Sequence, residues 1–174
     1  MKTRIFKTSE NEIKEAAKLI AKGGLVAFPT ETVYGLGADA FDPEAAKKAY
    51  AAKGRPSDNP LIVHISKFED LERATVIFDE ARGGDEEAIE VCSNVRKLAD
   101  AFWPGPLTMV LPKKDEVPKE TTGGLDTVAL RMPLSEPTLK LIEYSGTLLS
   151  GPSANLSGHP SPTLWQHEIG RAHV

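Results

Sequence analysis

The sequence predicts an α/β domain with helices packed on a sheet, and three observations carry that reading. Short apolar runs of strand length alternate along the chain with segments of helical period. Helix start and stop signals fall between them, so the two kinds of element are interleaved rather than segregated. The chain has 174 residues, 40% of them hydrophobic, which is enough for one domain with a substantial core.

Taken in order, residues 3–7 read as a short strand. Ser9 and Glu12 form a capping box ahead of a helical stripe of Ile13, Ala16, Ala17, Leu19 and Ile20, and Gly23-Gly24 stops that helix. Residues 25–28 are a buried strand ended by Pro29. The following stretch, TETVYGLGAD at 30–39, crowds hydroxyls, a phenol and two glycines just after a core strand. Asp42-Pro43 starts a helix, with Asp as cap and Pro at the first helical position, and the helix runs to about Ala52. Lys53-Gly54-Arg55-Pro56-Ser57-Asp58-Asn59-Pro60 is then a basic exit loop, because its prolines, glycine and Ser-Asp-Asn run exclude helix and strand.

Residues 61–65 (LIVHI) are a β-branched buried strand. Ser66 and Glu69 suggest a second capping box, 79–87 an exposed loop, and 87–102 an amphipathic helix broken by Trp103-Pro104-Gly105-Pro106. Strands are expected at 107–111, 127–132 and 147–150 and a helix at 136–144, with 112–124 a mobile charged connection. Residues 151–158, GPSANLSG, form the last loop. The end, Ile169 to Val174, reads as one frame of a common sequencing adapter. The domain is therefore taken as 1–163, C-terminally incomplete, and 164–174 is set aside as an atypical tail.

Composition removes several functional classes. The first ten residues are charged and carry no apolar signal-peptide core, and no apolar run is long enough to span a membrane, which fits a cytoplasmic protein. The single Cys92 rules out an internal disulfide and a cysteine-rich metal site. A net charge of -4 argues against a general nucleic-acid coat, so an anion site must be a local cluster of cations. The sequence has no Walker loop, no H-E-x-x-H and no G-x-S-x-G, and Gly35-Leu36-Gly37 lacks the third glycine of a dinucleotide fingerprint. His64, His159, His167 and His173 show no metal spacing.

Cations and hydroxyls on loops remain. Lys53 offers a point charge and Arg55 a planar fork to phosphate oxygens, or both are charges on a solvated turn. Arg131 sits inside an apolar strand, where it needs either a bound anion or an internal carboxylate. His64, in a core strand, is a ligand group or a satisfied core histidine. Ser153 and Asn155 alternate about Ala154, so both can face one side, although Ser-Asn loops are also ordinary turn chemistry.

Four stretches occur in one order: PTETVYGLG at 29–37, KGRP at 53–56, FWPGPLT at 102–108 and SANLSG at 153–158. In these, over about residues 5–163, the chain closely resembles the YrdC-like L-threonylcarbamoyladenylate synthase family, whose K-x-R…S-x-N signature falls on Lys53, Arg55, Ser153 and Asn155. The resemblance implies a twisted α/β sheet with flanking helices around a large concave site. It also implies a reaction in which L-threonine, bicarbonate or CO2, and ATP give threonylcarbamoyl-AMP and pyrophosphate. Other proteins then transfer the group to tRNA, making the t6A modification at position 37, and members of the family also bind double-stranded RNA. Carried over by position, Lys53 and Arg55 are the catalytic cations. Lys53, Arg55, Asn59, Thr127, Asn155 and Thr163 are the ATP contacts, and Thr32, His64, Arg131 and Ser153 the threonine contacts. Mg2+ accompanies ATP, and no protein metal site is implied.

Two features depart from the family pattern. The strands that follow Ser-Pro-Thr at 161–163 in family members are missing here, and 75–94 is longer than usual. The competing functions are a non-catalytic RNA-binding module, disfavoured by the acidic balance, and a carbamoyl-transfer domain, disfavoured by the absence of accompanying zinc-finger or acylphosphatase-like segments.

Overall fold

The computed structural model describes residues 3–161, 163, 164 and 166. Its centre is a six-stranded sheet of β1 (Val26–Phe28), β2 (Gly35–Asp39), β3 (Ile62–His64), β4 (Met109–Pro112), β5 (Thr127–Arg131) and β6 (Leu149–Ser150), in the order β1-β2-β6-β3-β5-β4. The pair β3–β5 is parallel, with His64 opposite Arg131, and all other pairs are antiparallel. The helices are α1 (Glu10–Ile20), α2 (Pro43–Lys53), α3 (Ile77–Arg82), α4 (Glu86–Phe102), α5 (Lys119–Thr122) and α6 (Glu136–Ser145). Among the described residues, no helix is long and apolar enough to cross a membrane.

Strand alternation divides the sheet into two faces. Val63, Val128 and Leu130 point into the main core, where they meet Leu71, Ile77, Val95 and Ala99 from the helices. On the same side, Ala45 and Ala49 of α2 pack on Ala38. On the opposite face, α1 and α6 bury Ile13, Ala16, Ala17, Ile20, Leu141 and Ile142 against Phe28 and Leu149. That second layer stops short of β3 and β5. Ile62, His64 and Arg131 are left lining an open cleft.

The cap of α2 explains how the basic stretch is placed. Asp42 accepts from the Glu44 amide at 2.9 Å and Pro43 opens the helix. Gly54, at φ 58, closes it in the left-handed conformation that glycine adopts without strain. Lys53 is therefore the last helical residue, one position beyond the expected end, where its charge suits the helix C-terminus. Arg55 begins the loop.

Several expectations are corrected. Residues 3–7 are not a strand. Ser9 makes no cap bond to the backbone, and the Glu12 carboxylate instead accepts from the Lys7 amide. The carboxylate that caps after β3 is Asp70, not Glu69: it accepts from Ser66 and Lys67 amides at 2.9 and 3.2 Å, because the 3-10 turn over 68–73 brings the later residue into reach. Residues 79–82, expected as part of an exposed loop, belong to α3, which packs Ile77 and the flanking Phe78 into the core.

The 112–124 connection is not a charged tether. Val117, Thr121 and Thr122 are buried, Thr121 donates to Ala40 O at 2.9 Å, and its carbonyl accepts from Leu61 N at 3.0 Å. Gly123 sits so close to the basic loop that a Cβ there would lie 2.8 Å from Asp58 O. This segment braces the 55–60 loop. The tail set aside from 164 lies, except for Leu164 and Gln166, outside the described residues, as do His167 and His173.

Candidate active site

The cleft encloses about 280 Å³ and opens on the uncovered part of the sheet face. One bank comes from β3, β5 and the turn after β1, contributing His64, Arg131, Thr30 and Thr32; the other comes from Arg55, Pro60 and the 151–153 segment.

His64 forms the floor. It is 3% exposed, and its Nδ1 is a buried atom without a hydrogen-bond partner among the described residues. Burial first, and the neighbouring Arg131 charge second, push the imidazole down to about 4, so it is neutral at pH 7. The Phe28 ring packs on its edge, with centroids 5.1 Å apart at 74°. Three glycines make room for that ring. A Cβ at Gly35 would approach Phe28 to 2.5 Å, at Gly37 to 3.0 Å, and at Gly151 to 2.8 Å. The Gly-Leu-Gly spacing thus keeps two same-face positions of β2 empty under an aromatic.

Arg131, 9% exposed, meets the internal carboxylate that its strand position allowed for. Its Nη2 donates to Glu31 Oε1, its Nε to Gly105 O at 3.3 Å, and Thr32 Oγ1 lies 3.5 Å from Nη2. Burial alone would raise the Glu31 carboxyl. Its own backbone amide, Arg131 and the Leu134 amide outweigh that and hold it below the usual carboxylate range.

On the other bank, Lys53 is 2% exposed, and its Nζ donates to the carbonyls of Ser153 and Asn155. Ser157 N returns a bond to Lys53 O at 3.0 Å. The two halves of the signature, about a hundred residues apart in sequence, are therefore in direct contact. Arg55 curls onto its own loop, with Nη2 to Asn59 Oδ1 at 2.6 Å and to Pro60 O at 3.1 Å.

Of the sequence-predicted residues, Thr32, Arg55, His64, Arg131 and Ser153 line one cleft. Lys53, Asn59, Thr127, Asn155 and Thr163 do not line it. Lys53 lies under the Ser153–Asn155 turn and Asn59 holds Arg55. Asn155 braces its own turn, donating to Leu156 O at 3.0 Å and His159 O at 2.8 Å and accepting from Ser161 Oγ. Thr127 begins β5 on the face shared by Ala129 and Arg131. Thr163 is exposed near the end of the described residues. Glu31 was not singled out from the sequence, nor was Pro152, which lines the cleft, as does Tyr34, the phenol noted in the 30–39 stretch. A signal for Glu31 existed: a buried arginine demands a carboxylate, and Glu31 lies inside the Thr-Glu-Thr motif.

A sheet covered on one face and half-covered on the other, with a guanidinium and a neutral imidazole side by side in the gap, defines an α/β protein with an open pocket suited to a small anionic ligand. The family model for Sua5, YciO and YrdC proteins, described as telomere recombination, matches residues 18–171, and the chain belongs to that family. It is 54% identical over 158 residues to a threonylcarbamoyl-AMP synthase of Pyrococcus abyssi, covering 91% of this chain and 43% of that protein. It is 48% identical over 161 residues to the threonylcarbamoyl-AMP synthase of Bacillus subtilis, covering 92% of this chain and 43% of that one. The crystal structure of P. abyssi Sua5 complexed with L-threonine superposes with a TM-score of 0.82 at 50% identity, covering 97% of this chain and 47% of that chain. The chain thus spans less than half the length of these relatives.

Proposed function

We propose that this chain carries the L-threonylcarbamoyladenylate synthase site, a nucleotidyltransferase centre using L-threonine, bicarbonate or CO2, and ATP. The observation that carries the reading is the parallel register of β3 and β5, which sets His64 against Arg131 in the cleft that Arg55 and Ser153 also line. Names of relatives that act as this synthase, and a relative's structure with threonine bound, support it.

In this reading Arg131 holds the threonine carboxylate, and the neutral His64, with an unsatisfied ring nitrogen, bonds the substrate's hydroxyl or carboxylate without adding charge. Thr32 and Ser153 complete the amino-acid side. The threonine amine adds to CO2, losing a proton, and the resulting carbamate oxygen attacks the α-phosphorus of ATP. The new O–P bond forms as the bond to pyrophosphate breaks. Such a step depends on positioning and on cations where negative charge accumulates. Arg55, at the cleft, stabilises the departing pyrophosphate. Lys53 contributes its charge from beneath the Ser153–Asn155 turn and holds that turn in place. Asn59, Thr127, Asn155 and Thr163 make up the nucleotide side. Mg2+ would enter with ATP, where it would offset charge on the phosphate oxygens. The product would pass, in the cytoplasm, to proteins that transfer the threonylcarbamoyl group to tRNA; any RNA contact of this chain would rest on local cations, given its net charge of -4.

The test is pyrophosphate release from ATP, Mg2+ and bicarbonate with and without L-threonine. Threonine-dependent release is expected. Its absence both here and in a version extended to the relatives' length would reject the reading, and release driven by carbamoyl phosphate instead would favour carbamoyl transfer.

A further inference from the structure

We propose that Glu31 is a positioning residue that aims the Arg131 guanidinium at the substrate carboxylate; the inference rests on the synthase reading for the identity of that substrate. Arginine side chains are long, and an unrestrained guanidinium samples several rotamers before it can clamp anything. Arg131 is restrained by Nε on Gly105 O at 3.3 Å and by Nη2 on Glu31 Oε1, with a longer contact from Nη2 to Thr32 Oγ1 at 3.5 Å. These fix the guanidinium plane. Among the described residues its remaining nitrogen, Nη1, has no partner.

Glu31 is itself anchored. Its second oxygen accepts from the Leu134 amide at 3.0 Å, so the carboxylate bridges the guanidinium to the chain three residues further on. The turn that carries it is held independently, since Thr138 Oγ1 donates to Pro29 O and Thr30 Oγ1 donates to Val33 O at 2.6 Å. Thr30 and Thr32 line the cleft, whereas Glu31 between them does not. Its neighbours face the cleft, and Glu31 faces the guanidinium.

Positioning and simple electrostatics predict opposite signs. Removing a carboxylate close to an anion site should tighten carboxylate binding if charge alone mattered. If Glu31 sets the aim of Arg131, its removal weakens binding. Calorimetric titration of L-threonine into the full chain, its Glu31→Gln, Glu31→Ala and Arg131→Ala variants and the double variant reads this sign directly. The expected losses are about tenfold for Glu31→Ala and about threefold for Glu31→Gln, which can still accept from Arg131 and Leu134. In the Arg131→Ala background, Glu31→Ala should cost less than about twofold more, because the residue acts only through that arginine.

A ligand-free readout accompanies it: the Arg131 Nη2–H resonance in nuclear magnetic resonance spectra, expected to be protected from exchange in the parent, kept in Glu31→Gln and lost in Glu31→Ala. Unchanged or tighter threonine binding in Glu31→Ala, or a resonance still protected there, overturns the proposal. If neither the parent nor a version extended to the relatives' length binds threonine, the synthase reading fails, and the resonance alone decides whether Glu31 aims Arg131. Should Glu31→Ala fail to fold, Glu31→Gln decides: a threefold loss upholds the proposal and parent-like affinity overturns it.

Discussion

The two banks of the cleft hold their cations by different means. On the β5 bank, Arg131 is buried and matched by a charged side chain, Glu31, while His64 is kept neutral against an aromatic ring, its Nδ1 without a partner among the described residues. On the loop bank, Lys53 and Arg55 are held mainly by backbone carbonyls and an amide side chain. Arg55, held by an amide side chain and a carbonyl, is the cation this bank presents to the cleft. The β5 bank is close to neutral overall, which suits a small zwitterion better than a triphosphate. The proposed division into an amino-acid side and a nucleotide side is the one this difference in partnering favours.

The contrast can be broken at three places. The largest effect is expected at Arg55, whose charge faces the cleft from a half-buried position. Arg55→Ala should lower threonine-dependent pyrophosphate release on the order of 100-fold, or about 3 kcal/mol at the transition state. Its denaturation midpoint should stay near that of the parent, because only local loop bonds are lost. Turnover within a few-fold of the parent would remove the loop bank from the chemistry.

Next is the acid sensitivity of the β5 bank. With the His64 pKa depressed to about 4 in the fold, the unfolded chain binds more protons than the native one between its ordinary value of 6.5 and that figure. Stability from this group is complete above pH 6.5 and falls as pH drops, by about 2 kcal/mol at pH 5. Urea denaturation of the parent and His64→Gln at pH 7 and pH 5 isolates it, since the variant keeps every carboxylate and every other imidazole and should lose that increment of the slope. Equal slopes would mean that His64 is charged, or solvated, in the native protein.

The smallest effect concerns the turn behind the loop bank. Asn155→Ala removes the amide that ties Leu156, His159 and Ser161 together and should destabilise by about 1 kcal/mol. Hydrogen exchange should quicken over 155–161 while β3 and β5 stay as protected as before. Faster exchange in β5 would show that the banks are not separable.

Where local chemistry dominates, the sequence was informative. Asp42-Pro43 and Gly54 bound α2, and the β-branched run at 61–65 contains β3. Five expected ligand residues share the cleft. The reading failed where a polar or charged segment is buried by distant partners. Thr121 and Thr122 look like tether residues until their bonds to Ala40 and Leu125 are seen, and Gly35 to Asp39 carried no strand assignment because its two glycines are spaces for Phe28. Ser9 and Glu69 fit capping patterns, yet Glu12 serves the Lys7 amide and Asp70 takes the second cap.

The amino-acid order by itself determined the bounds of α2, the apolar run that holds β3, and which basic and hydroxylated stretches stand ready for an anion, because those properties depend on neighbours within a few positions. Only the tertiary structure decided what each charge meets. Arg131 could have paired with any carboxylate or with none, and Lys53 could have faced solvent. Burial makes an unmatched charge too costly to keep, so the fold must supply partners from far along the chain: Glu31 for Arg131 and the Ser153 and Asn155 carbonyls for Lys53.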